Sequence, residues 1–146
     1  MKKLVVAALA ACVMLPAGVG RAADGQCYSG AAIEAEQAIR FVTELMVAST
    51  ECHDQTYGLF QQRNRDSIVT YQKAMIAHFH GNAAYDRWDT SLANTASMKH
   101  AGLTPPQACQ QAADILKVAA SLDNKGFRAY AASLAAKMSA QYRTCK

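Results

Sequence analysis

The chain has 146 residues, 51% of them apolar and only 18% charged, with a formal charge of +4. That length suits one ordinary domain with a real core. Its longest uncharged apolar run, Leu4 to Leu15, falls short of the roughly 20 residues a membrane-spanning helix needs.

The N-terminus explains the charge. Met1-Lys2-Lys3 is a short positive start, followed by the Leu4–Leu15 run. Pro16, Gly18 and Gly20 break that run ahead of the small residues Ala22 and Ala23. This is the pattern of a secretory signal and predicts cleavage after Ala22. Residues 1–22 are then the signal peptide and residues 23–146 a single helical domain, periplasmic or secreted. Lys2, Lys3 and Arg21 leave with the leader, so the charge falls from +4 to +1. No electrostatic case for nucleic acid or anionic lipid survives that loss. Leu9-Ala10-Ala11-Cys12 matches the pattern that precedes a lipidated cysteine, but Val13, Met14 and Leu15 continue the apolar run where a polar linker belongs. Cys12 reads as part of the leader, so no stable membrane anchor is expected.

The elements after the leader read as helices, because Val and Ile are scarce while Ala, Gln, Leu and Met abound. Ala38, Phe41, Leu45, Ser49 and Cys52 recur at helical spacing in a first helix starting near Ala31. Ile68, Gln72, Met75 and Phe79 form a second stripe, ended by Gly81-Asn82. Tyr85, Trp88, Leu92 and Ala96 form a third, ending near Gly102. Thr104-Pro105-Pro106-Gln107 reads as a capping box with proline at the first helical position, opening a fourth helix through Cys109, Ala112, Ala113 and Leu116. A fifth begins after Asp123 and carries Phe127, Tyr130, Leu134, Met138 and Cys145 on one face. The expectation is an all-α bundle of four or five helices.

Cys27, Cys52, Cys109 and Cys145 remain after maturation, and an even number in an exported domain predicts two disulfides. A continuous helix from Ala31 to Cys52 separates its ends by roughly 30 Å, so Cys27 and Cys52 cannot bridge. Of the two connectivities left, Cys52–Cys109 with Cys27–Cys145 is preferred, because it ties the first helix to the fourth and closes the chain near its termini. No CxxC or CxxCH occurs, so neither a thioredoxin-type pair nor an attached haem has its motif.

Three constellations carry candidate chemistry. His78-Phe79-His80 lies close to Met75, and Met98 and His100 follow, as in exported copper or zinc sites. On a continuous helix, however, residues two apart point about 200° away from each other. The alternative is that the histidines complement a helix C-terminus. All four glutamates after the leader, Glu34, Glu36, Glu44 and Glu51, fall on the first helix. Without a Glu-x-x-His they lack the two-iron pattern, and Glu36, Arg40 and Glu44 read as an i, i+4 ion-pair series on a solvated face. Glu44 and Glu51 are the candidates for an acid, were the chain a cell-wall hydrolase. Tyr85 and Trp88 form a possible interface, since Asp86, Arg87 and Asp89 surround the indole with charge. No GxSxG or other catalytic motif occurs, and no cofactor is implied.

Thr43-Glu44-Leu45-Met46-Val47 ahead of Cys52, and Leu92-Ala93-Asn94 later, resemble segments of small exported helical proteins of proteobacteria that have no assigned function. In layout (leader, compact α-domain, cysteines) the chain is also similar to periplasmic immunity proteins that neutralise cell-wall hydrolases. The expectation is a disulfide-stabilised module that binds another protein or builds an assembly. The alternatives are a metal or small-molecule carrier using the His78/His80/Met75 region, and an immunity or inhibitor protein.

Overall fold

Ser29 starts the first helix: its hydroxyl accepts the Ala32 N–H at 3.1 Å, satisfying one of the donors a helix N-terminus leaves open. The computed structural model describes residues 26–145, so the leader, its cleavage site and Cys12 lie outside the described residues. Five helices follow in order: α1 Gly30–Glu51, α2 Thr56–His78, α3 Asn82–Met98, α4 Pro105–Ser121 and α5 Asn124–Met138. A single 3-10 turn, Ser139–Gln141, leads into the C-terminal strap.

Helix α1 is the axis of the bundle. It packs against each of the other four helices, and Ala32, Ala35, Ala38 and Ala48 let them approach closely. Burial runs almost all the way round it, as for any helix enclosed by others. The core gathers on α1 as Phe41 and Leu45, with Phe60, Tyr71 and Met75 from α2 and Phe127 from α5. Phe127 meets Phe60 edge-on at 4.9 Å and Tyr71 at 5.7 Å, arrangements favoured by the ring quadrupole.

The sequence stripes hold, with three adjustments. Helix α2 begins at Thr56, twelve residues before the stripe at Ile68. Its first buried face includes Asn64 and Ser67, whose polarity hides the period. The Asn64 amide donates to the Phe60 carbonyl at 2.9 Å and the Leu122 carbonyl at 3.3 Å, which is how a polar side chain is tolerated there. Ala113, placed on the inner stripe of α4, is exposed. Helix α5 ends at Met138, so Cys145 sits on the strap rather than on the helix face.

Helices α1 and α2 both end with a histidine in the left-handed region, His53 at φ 52° and His80 at φ 58°. In each the following N–H, Asp54 or Gly81, reaches back five residues to a helical carbonyl. This closure absorbs the loose carbonyls and usually employs glycine. The Thr104–Gln107 capping box opens α4 and the Asp123 carboxylate caps α5, as the sequence predicts.

The disulfides are Cys27–Cys145 and Cys52–Cys109. The first is reinforced by a parallel bridge in which Tyr28 N–H donates to Arg143 and Cys145 N–H donates to Tyr28. The two ends of the domain are thereby fastened together. No helix of the described residues is long and apolar enough to cross a membrane.

Candidate functional site

Helices α4 and α5 both lean on α1 and α2 rather than on each other. The space between them is a cleft of about 720 Å³ with α1 as its floor. Ile115 and Val118 line it from α4, and Tyr130, Leu134 and Met138 from α5. The fastened termini close one end through Gln26, Tyr28, Tyr142 and Arg143. Apolar walls with a few convergent polar groups, at this volume, are the usual make-up of a ligand site.

The polar groups converge on Glu36. One turn of α1 carries it next to Ala35 and Ala38, and it is only 3% exposed. Its Oε1 accepts from Arg40 Nε at 2.7 Å and lies 2.6 Å from Arg40 Nη2. Its Oε2 is buried without a hydrogen-bond partner among the described residues. Beside it Gln37 Nε2 donates to the Tyr142 hydroxyl at 2.7 Å, and the Tyr28 and Tyr142 rings pack at 4.9 Å. Burial opposes the Arg40 charge, but the Glu36 carboxylate outweighs it and the guanidinium is held charged. Both phenols are pushed up, first by burial and then by the Glu36 charge, so both stay neutral at ordinary pH.

Of the i, i+4 series expected from the sequence, the Glu36–Arg40 pair is present while Glu44 pairs with Lys99 instead, and the solvated setting is corrected for Glu36. Glu36 is enclosed because four helices surround α1, and a paired charge is the form in which a buried carboxylate survives. The warning in the sequence was the apolar spacing itself. Ile33, Ala35, Ala38, Ile39, Phe41 and Val42 leave α1 no free polar face.

The other candidates are spread apart. Met75 is fully buried in the core, His78 packs its ring on Tyr28 at 4.1 Å, and His80 lies beyond the end of α2. His80 Nε2 is 2.8 Å from Gln26 Nε2. The break at His80 removes the helical geometry that set the two histidines apart, yet Met75 stays sealed inside. Among the described residues no three His, Cys, Asp or Glu side chains gather as a metal would need. Met98 is exposed, and His100 pairs with Glu51.

Glu44 is bound by Lys99. With Glu51 held by His100, each candidate acid is engaged by a cationic or cation-forming partner. Glu44, Lys99 and His100 line a second cavity of about 340 Å³, which adjoins the first at Glu44, Asp114 and Ile115. Tyr85 is corrected as an interface residue: it is 7% exposed and belongs to the core. Trp88 is half-buried against Phe79, 5.2 Å between ring centres.

Five phenols share one pH consequence. Tyr28, Tyr57, Tyr71, Tyr85 and Tyr142 are all pushed up chiefly by burial, Tyr85 to about 12. The native state keeps these protons at a pH where the unfolded chain has lost them. Their stabilisation is complete below the ordinary phenol value of 10 and drains away as pH rises toward 12. The midpoint of denaturant unfolding, followed by circular dichroism, is expected to hold between pH 8 and 9.5 and to fall steeply above about 10. A midpoint unchanged up to pH 11.5 would contradict the buried placement of these rings.

No protein-family model, curated protein or solved structure matches this chain. The functional reading therefore rests on the cleft and the sequence.

Proposed function

We propose that the chain is an exported binding protein whose working part is the cleft between α4 and α5. The observation that carries this reading is the cleft of about 720 Å³ itself, with Ile115, Val118, Tyr130 and Leu134 on its walls and Glu36, Gln37, Arg40 and Glu44 along its α1 floor. Export is supported by the leader pattern of residues 1–22 and by two long-range disulfides, which persist in oxidising compartments.

Binding fits the site better than catalysis. Glu36 is committed to Arg40, Glu44 to Lys99 and Glu51 to His100, so none of them stands as an available acid or base opposite a second group. A small ligand also fits better than a broad protein face. The large apolar side chains exposed among the described residues are Leu59, Val69 and Met98. Leu59 and Val69 stand about 15 Å apart along α2, and Met98 ends α3. These three side chains therefore form no continuous apolar face.

A neutral fluorescent amphiphile, N-phenyl-1-naphthylamine, tests the reading. It is expected to bind the oxidised protein at one equivalent with an emission increase. Leu134→Arg, which puts a charge into the wall, is expected to abolish that signal while helicity is kept. An unsaturable signal, or one indifferent to Leu134→Arg, would sink the cleft as the binding site.

A further inference from the structure

The two ends of the cleft differ in charge, and that polarity selects a class of ligand, an inference that rests on the binding reading above. Glu36 is answered inside the protein. Arg40 holds one of its oxygens through Nε and Nη2, and the Tyr28 and Tyr142 hydroxyls stand beside it as donors. Its charge is spent before any ligand arrives. Glu44 is spent in the same way on Lys99.

Two charged side chains of the lining remain. Arg143, on the strap at the end closed by the termini, has no carboxylate partner among the described residues. Asp114, on α4, has no cationic partner among them. It lines the cleft where the second cavity adjoins, beside Glu44, and so marks the opposite end. At the strap end donors are in surplus. Arg143 brings five N–H groups, and Arg40 keeps Nη1 clear of Glu36 on a side chain 42% exposed. Between the ends the walls are apolar, Ile115 and Val118 on one side and Leu134 and Met138 on the other.

We infer that the cleft binds a medium-chain alkyl carboxylate, its head on Arg143 and Arg40 at the strap end and its chain between α4 and α5. One unanswered cation asks for a monoanion, and the planar guanidinium presents paired N–H groups that match a carboxylate. The acidic far end, with Glu44 and Asp114, repels a second carboxylate, so a dicarboxylate of the same length is turned away.

Isothermal titration of the oxidised protein at pH 7 and low salt with four eight-carbon probes decides the matter: octanoate, octanol, octyltrimethylammonium and octanedioate. Octanoate is expected to bind one-to-one, at least about tenfold tighter than each of the other three. Arg143→Gln should bring octanoate down to the octanol level and leave octanol unchanged. Lys73→Gln, which removes an exposed cation of α2 outside the cleft, should change neither. Both substitutions fall on exposed side chains, so the fold is kept in each. Octanol or octyltrimethylammonium binding as tightly as octanoate overturns the anion preference and leaves the cleft as a binding site. Equal losses in the two variants would make the effect one of net charge and overturn the role of Arg143. Octanedioate binding as tightly as octanoate overturns the assigned orientation. If none of the four binds, the inference falls, and the naphthylamine result separately decides whether the cleft binds at all.

Discussion

Replacing Cys27 and Cys145 together by serine is expected to lower the unfolding free energy by about 5 kcal/mol. The bridge spans 118 residues, and the chain-entropy model gives about that value for a loop so long. For a domain of this size the same loss corresponds to a fall in Tm on the order of 20 °C. The Cys52–Cys109 bridge spans 57 residues and is worth slightly less, about 4 kcal/mol. The two variants should differ in a second way. Cys27–Cys145 holds the segments that carry Tyr28 and Tyr142, so its loss should also weaken amphiphile binding in the cleft. Cys52–Cys109 sits at the junction of α1 and α4, away from those rings, and its loss should leave binding largely intact well below Tm. Guanidinium unfolding and naphthylamine titration of both serine pairs check this. Equal loss of binding in the two would show that the strap does not govern the cleft.

The second large effect is expected at Phe127. The ring is fully buried and meets Phe41, Phe60 and Tyr71, joining three helices at one point. Phe127→Ala should cost about 4 kcal/mol, the lost transfer energy together with the cavity left behind. That is a large share of the 5–15 kcal/mol typical of a whole domain, so the variant should be partly unfolded by about 37 °C. Phe127→Leu keeps most of the volume and should cost less than about 1.5 kcal/mol. Far-UV circular dichroism against denaturant measures both. An alanine variant within about 1 kcal/mol of the parent would mean that the three helices do not converge on this ring.

Both predictions depend on residues that periodicity makes visible. Phe127 stands in a stripe opened by an aspartate cap, and helix length with the reach of a disulfide removes one of the three cysteine pairings, leaving the observed one as the preferred of two. Local rules were sufficient there because helix caps, spacing and chain length are properties of neighbouring residues. The 56–67 stretch was not legible in the same way, because Asn64 and Ser67 interrupt its apolar period. The place of Asn64 on the buried face is secured by the Leu122 carbonyl, 58 residues away, which no local pattern announces.

The site divides along the same line. Glu36, Arg40 and Glu44 are visible as an i, i+4 series, and a pairing between Glu36 and Arg40 follows from helical spacing alone. Whether that pair faces water or the interior depends on how many helices enclose α1. Likewise Tyr28 and Tyr142, 114 positions apart, become neighbours through the terminal disulfide and strand bridge. From sequence alone come the leader pattern, the helical class, the caps of α4 and α5 and the exclusion of a Cys27–Cys52 bridge, all set by composition, short-range spacing and covalent reach. The tertiary structure alone decided that α1 is central, that α4 and α5 stand apart, and that Glu36 is enclosed beneath the cleft. Those three facts are consequences of packing, in which the burial of each side chain is set by distant segments and not by its neighbours along the chain.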